Sequence, residues 1–495
     1  MKKLIALLCL LAICLPLCAC ASPSLKNTEG KPAQTATVEE QKQNTPAVKT
    51  EKFKIPEDLP EGFAVGYGII DITGKTPISY FGGIADGVHD PLMLTCTAVS
   101  DGETVALIMT ADLKKMLDNV SVKSLEIIEK QFGIPASNVI LSCTHSHSAP
   151  DAGSSAEGNP QWMQQYYKQL PLAVDAALRD LDVVEKAYAG TANTEHPIGF
   201  VRRYLLADGT YKMNPSTSDN PVSHESVADP ELRTIRFDRK NKKDVLLVNF
   251  QTHYGGATST YPRKLSADFV HPFRQEAQKA YDCLFAYYSG ASGNINFNSA
   301  IPGERYYETW LDAIDGFMET TDAALKAEEE ISLGKIQTAR STVAATVRHD
   351  PEERVKQAQE IADAGYDETE AGRALMEKYG FDGYYDASFT VTRSKLGESM
   401  DVALNAIAFG DVAFTGYPYE MFHENGKEVR DASPYKMTFI CSLSLGAFGY
   451  IPSALGYSHG GYETYNCRFV GGTGEQLAQE SVRLLNECKS AGGSK

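Results

Sequence analysis

The chain has 495 residues, 43% of them hydrophobic, with 47 Lys plus Arg against 64 Asp plus Glu and a formal net charge of −17. That apolar content excludes a disordered chain, and the length suits either two or three domains or one large α/β unit. An acidic balance of this size argues against nucleic acid as a partner and against electrostatic docking on anionic lipid, since both need a basic face.

At the N-terminus Lys2 and Lys3 precede an apolar run from Leu4 to Leu17. This run is too short for a membrane-spanning helix, which needs about 20 residues. Leu17-Cys18-Ala19-Cys20 reads as a lipobox with Cys20 as the acylated residue; an ordinary signal peptide cut near Ala21 is the alternative. Residues 21–54 are rich in Lys, Thr, Gln, Pro, Asn and Glu without a hydrophobic period, the pattern of a flexible tether. The expected organisation is a lipoprotein signal peptide over 1–20, a tether over 21–54 and one large domain over 55–495. The mature protein is then extracytoplasmic, anchored to a bacterial membrane through lipid on Cys20.

From about residue 60 short apolar strands alternate with amphipathic helices. Strands are predicted over Ala64 to Ile72, Thr104 to Met109, Asn138 to Cys143, Val245 to Phe250, Val402 to Ile407 and Val412 to Thr415. Helices are predicted over Asn119 to Phe132, Gln161 to Leu181, Val270 to Tyr281, Arg305 to Ala327, Glu353 to Lys378 and Gly474 to Glu487. The charged stretch from Ala327 to Phe381 reads as a helical excursion at the surface. The fold class expected is α/β, with layered mixed β-sheets flanked by α-helices in a single large domain. Beyond the anchor, Cys96, Cys143, Cys283, Cys441, Cys467 and Cys488 are widely spaced and form no CxxC, which argues against structural zinc. They read as disulfide partners or as small buried residues.

Three of the predicted strands end at residues that bind metals. The first runs into Thr144-His145-Ser146-His147-Ser148-Ala149-Pro150. In an extended chain His145 and His147 share a face, so the pair can present imidazole to a metal; a hydrogen-bonded pair in a polar turn is the alternative. The second strand ends at Gln251-Thr252-His253, where a lone histidine is more often structural. The third leads into Tyr417-Pro418-Tyr419-Glu420. Sites in open α/β sheets lie at strand ends, and three such ends together favour a site. His89, His196, His224, His271, His349, His423 and His459 have no such pairing and read as surface or turn residues.

Over roughly residues 63 to 488 the chain resembles the neutral, non-lysosomal ceramidase family. Val65-Gly66-Tyr67-Gly68-Ile69-Ile70-Asp71-Ile72-Thr73 is similar to that family's GxGxxDIT opening, and Thr144 to Pro150 to its THTHSGP segment. Phe250-Gln251-Thr252-His253-Tyr254-Gly255 matches the region of its second metal histidine. Tyr417-Pro418-Tyr419-Glu420 resembles its PGE, with Tyr419 in place of Gly. Gly449-Tyr450-Ile451-Pro452-Ser453 resembles YITT, and Tyr462-Glu463 resembles RYE. The resemblance implies Zn2+ bound by His145, His253, Glu420 and Tyr450, with His147, Arg202 and Tyr462 lining the reaction centre. A one-residue shift would exchange Arg202 for Arg203. A mixed N/O donor set with room for water suits catalytic zinc.

The family's Gly-Asp/Asn-x-Ser-Pro-Asn segment corresponds to Gly293-Asn294-Ile295-Asn296-Phe297-Asn298, so Asn296 stands where the family has Ser. Asparagine is no acyl-accepting nucleophile, but it can donate a hydrogen bond to a substrate carbonyl. Because the chain ends soon after its last helix, the family's C-terminal immunoglobulin-like domain is expected to be absent. The function expected is a lipid-anchored zinc hydrolase that cleaves an amide, N-acyl sphingoid or similar, with metal-activated water. The alternatives are a zinc hydrolase of another surface amide or ester, and a non-catalytic lipoprotein that binds a ligand in the same pocket.

Overall fold

Gly66 and Gly68 in the opening strand set how closely the first layer packs. A Cβ on Gly66 would lie 2.0 Å from the Ala177 carbonyl oxygen, and one on Gly68 would lie 2.3 Å from that of Ala173. Both carbonyls belong to one long helix, which therefore rests directly on the strand backbone. The computed structural model describes residues 54–492 apart from Tyr254 and Phe448. The signal peptide, Cys20 and the tether up to residue 53 lie outside the described residues.

The larger sheet is built from β1 (Ala64–Asp71), β2 (Met93–Ser100), β3 (Val105–Ala111), β4 (Val139–Cys143), β5 (Asp182–Asn193), β6 (Glu231–Arg239), β7 (Val245–Phe250) and β8 (Leu284–Ser289). Its spatial order is β8-β7-β6-β5-β1-β2-β3-β4, with Glu329–Glu330 pairing off β5. The pairs β3/β4 and β7/β8 are parallel, and the other pairs along this order are antiparallel. The smaller sheet runs β9 (Ile336–Thr346), β10 (Ser399–Phe409), β11 (Val412–Gly416), β12 (Met437–Cys441), with β11/β12 parallel.

The two sheets pack face to face. Tyr67, Ile108, Phe237, Leu247 and Tyr288 from the larger sheet join Ile407, Phe409, Phe414 and Phe439 from the smaller in one buried cluster. Helices α1 (Asp118–Phe132) and α2 (Asn159–Arg179) cover the outer face of β1 to β4. Helix α3 (Val270–Tyr281) packs on β8, and α4 (Ala313–Lys326) packs on β5 and β6. The C-terminal helix Thr473–Gly492 covers the smaller sheet. The result is four layers, helix–sheet–sheet–helix, in which sheets are buried on both faces. That explains why β3, β4 and β7 read as unbroken apolar runs.

The layered mixed architecture agrees with the expectation from sequence, and no described helix is long and apolar enough to cross a membrane. Several element boundaries differ. The helix expected from Arg305 begins at Ala313. The stretch from Glu353 to Lys378 is broken at Gly365, which takes φ 88° between α5 (Glu352–Asp363) and α6 (Glu370–Tyr379). The charged excursion starts later than expected, because Ile336–Thr346 is strand β9 with its polar side chains on an exposed face. The six described cysteines are all buried and unpaired, so the small-buried-residue reading holds.

Candidate metal centre

Strand β4 ends at Cys143, and the chain turns at His145, whose φ of 69° is left-handed. Two hydrogen bonds hold it there. The His145 amide donates to the Leu113 carbonyl at 2.9 Å, and Nδ1 lies 2.6 Å from the Lys114 carbonyl oxygen. A carbonyl only accepts, so the proton sits on Nδ1 and the lone pair on Nε2 faces inward. Ser146 Oγ donates to the Ser266 carbonyl at 2.7 Å, and Ser266 Oγ donates to Asp90 Oδ2 at 2.6 Å, which locks the loop between the histidines.

The imidazoles converge. His145 Nε2 lies 3.1 Å from His253 Nε2 and 3.2 Å from His147 Nε2, and the His253 and His147 Nε2 atoms are 3.1 Å apart. Glu420 Oε2 is 3.3 Å from His145 Nε2 and is buried without a hydrogen-bond partner. Tetrahedral zinc with Zn–N of about 2.0–2.1 Å places its nitrogen donors roughly 3.3–3.4 Å apart, close to the spacing seen. His253 also hydrogen-bonds the Ser292 main chain, an interaction that favours its protonated form. Converging lone pairs beside an unpartnered carboxylate oxygen repel one another unless a cation sits among them. The donor set therefore fits a divalent metal.

The remaining predicted residues surround this cluster. Glu420 and Tyr450 are register partners in a short parallel pair, Glu420–Met421 with Tyr450–Ile451, and their side chains hydrogen-bond. The Tyr462 ring lies 5.4 Å from that of Tyr450. Arg202 is the arginine that faces the centre. Its Nη1 is 3.4 Å from His253 Nδ1, its guanidinium lies over the Tyr450 ring, and its Nε donates to Glu463 Oε1 at 2.9 Å. Arg203 points elsewhere, into a bidentate pair with Glu225, and donates to Glu463 Oε2 at 2.8 Å. Asn296 is half-buried. Its Nδ2 donates to Asn214 Oδ1, in a segment 82 residues away, at 3.1 Å, and its Oδ1 accepts from the Phe297 amide at 2.8 Å, so both ends of its amide are engaged within the protein.

Electrostatics keep these groups in defined states. Burial drives His147 well below the usual imidazole range, and the nearby positive charges of Lys114, Arg202 and Lys115 add to it. Burial, then His145 and Arg202, lower His253 likewise. Burial would raise Glu420, but His145, the Tyr450 hydrogen bond and Arg202 outweigh it and hold the carboxyl at about 2. Burial raises Tyr450 and Tyr462 above the usual phenol range. Burial opposes the charge of Arg202, but Tyr450, Glu463 and Glu420 overcome it. The centre thus holds neutral His147 and His253, ionised Glu420, cationic Arg202 and protonated phenols near neutral pH.

The sequence pattern gave no role to two groups, Glu463, visible only within the Tyr462-Glu463 segment, and Glu424. Glu463 is fully buried and joins Arg202 to Arg203, and Glu424 collects hydrogen bonds behind Glu420. His423, set aside as a turn residue, is buried with its Nε2 3.1 Å from Glu424 Oε1.

No family model matches the chain, and no curated protein matches it. Solved structures do. The crystal structure of neutral ceramidase from Pseudomonas aeruginosa shares 16% identity over 88% of this chain and 75% of its own, with a TM-score of 0.63. A ceramidase complexed with C2 gives 15% identity, 88% and 76% coverage and the same TM-score. At such identity the likeness is one of fold: the chain has a neutral ceramidase-like fold.

Proposed function

We propose that this protein is a zinc-dependent amidohydrolase acting on an N-acyl lipid or similar amide. The observation that carries the reading is the convergence of three imidazole Nε2 atoms and the unpartnered Glu420 Oε2 atom at strand ends of a neutral ceramidase-like fold. His145, His253, Glu420 and Tyr450 are the ligands the reading assigns, with His147 Nε2 beside them, 3.2 Å from His145 Nε2. Bound zinc supplies Lewis acidity, which polarises an amide carbonyl and makes a water acidic near neutral pH.

The chain's own residues do the rest. Asn296 offers no nucleophile, and its hydrogen bonds to Asn214 and the Phe297 amide fit a positioning role, so water is the attacking group. Neutral His147 accepts the water proton and returns it to the leaving amine. Arg202 and the protonated Tyr462 hydroxyl donate toward the carbonyl oxygen as it gains charge. Exposed aromatic rings flank the centre: Phe81 stands 5.0 Å from the His147 ring, and Tyr385 stands 4.9 Å from that of Tyr462. These walls favour a substrate whose arms are apolar. Acylation at Cys20 would hold the enzyme at a membrane surface where such substrates reside.

Elemental analysis of the purified protein beside His253→Ala tests the reading, followed by a panel of N-acyl amides and esters. One equivalent of zinc in the wild type, lost in the variant, together with amide cleavage, is the expected result. A wild type that takes up no zinc on supplementation would overturn it.

A further inference from the structure

Asn294 is fully buried where three segments bearing site residues meet. Its main-chain oxygen accepts from the Arg202 amide at 2.8 Å. Its Oδ1 accepts from the His423 amide at 3.0 Å, and its Nδ2 donates to Glu424 Oε2 at 2.9 Å and Oε1 at 3.2 Å. Both ends of the amide are thereby engaged inside the protein. Glu424 Oε1 also accepts from Ser226 Oγ at 2.5 Å.

The helix His423–Asp431 begins immediately after the Glu420 turn, and its N-cap residue, Phe422, has no side-chain cap. Orphan amides in the first turn of a helix need acceptors. Asn294 supplies one from another part of the chain. It therefore ties the helix start to the strand segment that carries Arg202, while Glu420 is held between them. Tyr419, just before Glu420, has a left-handed φ of 73°, so the turn is not one the local sequence favours by itself.

We propose that Asn294, acting through Glu424, is a positioning residue that sets the Glu420 carboxylate against Arg202 and the histidines. The proposal rests on the zinc-hydrolase reading, which gives that separation its purpose. It differs from a purely structural role in one respect. Asn294→Asp keeps an acceptor for the His423 amide but replaces donation to Glu424 by repulsion between two carboxylates. Adding Glu424→Gln restores a donor–acceptor pair with the roles reversed.

The test is zinc affinity by chelator competition for wild type, Asn294→Asp and the double variant Asn294→Asp/Glu424→Gln. Amide hydrogen exchange at Glu420 and Tyr450 in metal-free wild type and Asn294→Ala accompanies it. The expected result is a loss of about 10–100-fold in affinity for the single variant, as for other residues that orient metal ligands, and substantial recovery in the double variant. Wild-type affinity in Asn294→Asp, or no recovery in the double variant, would overturn the proposal. A wild type that binds no zinc would instead overturn the zinc reading. The exchange measurement needs no metal: faster exchange at Glu420 in Asn294→Ala supports positioning, and unchanged exchange refutes it.

Discussion

Gly293→Ala should weaken the proposed metal binding without replacing any of the proposed ligands. A Cβ at residue 293 would sit 2.4 Å from the Glu420 carbonyl oxygen, 2.8 Å from its carbonyl carbon and 3.0 Å from the Met421 oxygen. All three are backbone atoms, so no side chain can rotate away. An ordinary carbon–oxygen contact is about 3.4 Å, so the Glu420 main chain must retreat by roughly 1 Å, or the Gly293 segment must move by as much. Glu420 Oε2 now lies 3.3 Å from His145 Nε2. A ligand displaced this far leaves the roughly ±0.2 Å range that metal coordination tolerates. Losses of 10–100-fold in affinity follow changes that misorient ligands, and a misplacement of about 1 Å is worth ~100-fold in rate. Competition against a chromophoric zinc chelator at fixed pH measures the affinity, and circular dichroism checks the fold. A correctly folded variant with affinity within about twofold of wild type would refute the geometric argument.

Two further outcomes follow from single residues. Tyr419→Gly relieves about 1–2 kcal/mol of left-handed strain but removes a ring that is 3% exposed and packs edge-on at 5.6 Å against Phe469. Losing a buried aromatic costs about 3–5 kcal/mol, so denaturant unfolding should show a net destabilisation of about 1–4 kcal/mol, and a stabilised variant would contradict this. Burial pushes the Asp268 carboxyl up to about 6, with Asp90 adding to the shift against hydrogen bonds from the Ala257 and Phe269 amides. A folded value above the unfolded one means that its contribution is present below about pH 4 and is lost as pH rises through 6, a difference of about 3 kcal/mol. Melting temperatures of Asp268→Asn should therefore fall less steeply than those of wild type between pH 4 and 6; parallel curves would refute the assignment.

The parts of this molecule legible in its sequence are those whose signal is local. Strands β4, β7 and β11 are buried on both faces, so they read as apolar runs, and the polar residues that follow each run stand out as site candidates. β9 was missed for the converse reason. Its pattern Ile336-Gln-Thr-Ala-Arg-Ser-Thr-Val-Ala-Ala-Thr346 buries little beyond its ends and Ala339, and its membership of the sheet comes from pairing with β10. The roles of Glu463, visible in the sequence only as part of a motif, and of Glu424 were illegible because each depends on a partner more than 120 residues away, Arg202 in one case and Asn294 in the other. The substitution of Tyr for Gly at 419 was visible as a departure, but its meaning was not. Only the backbone shows that this position needs a left-handed residue, and only the packing against Phe469 shows what the tyrosine offers in return. The same logic separates Arg202 from Arg203. Arg202 sits between the short strands Phe200–Val201 and Arg203–Leu206 and faces the imidazoles, Arg203 opens the second strand and faces Glu225, and no pattern of residue types states which. What the chain hides from a linear reading is therefore the set of supports behind the metal ligands, and those supports are where variants should uncouple metal affinity from folding.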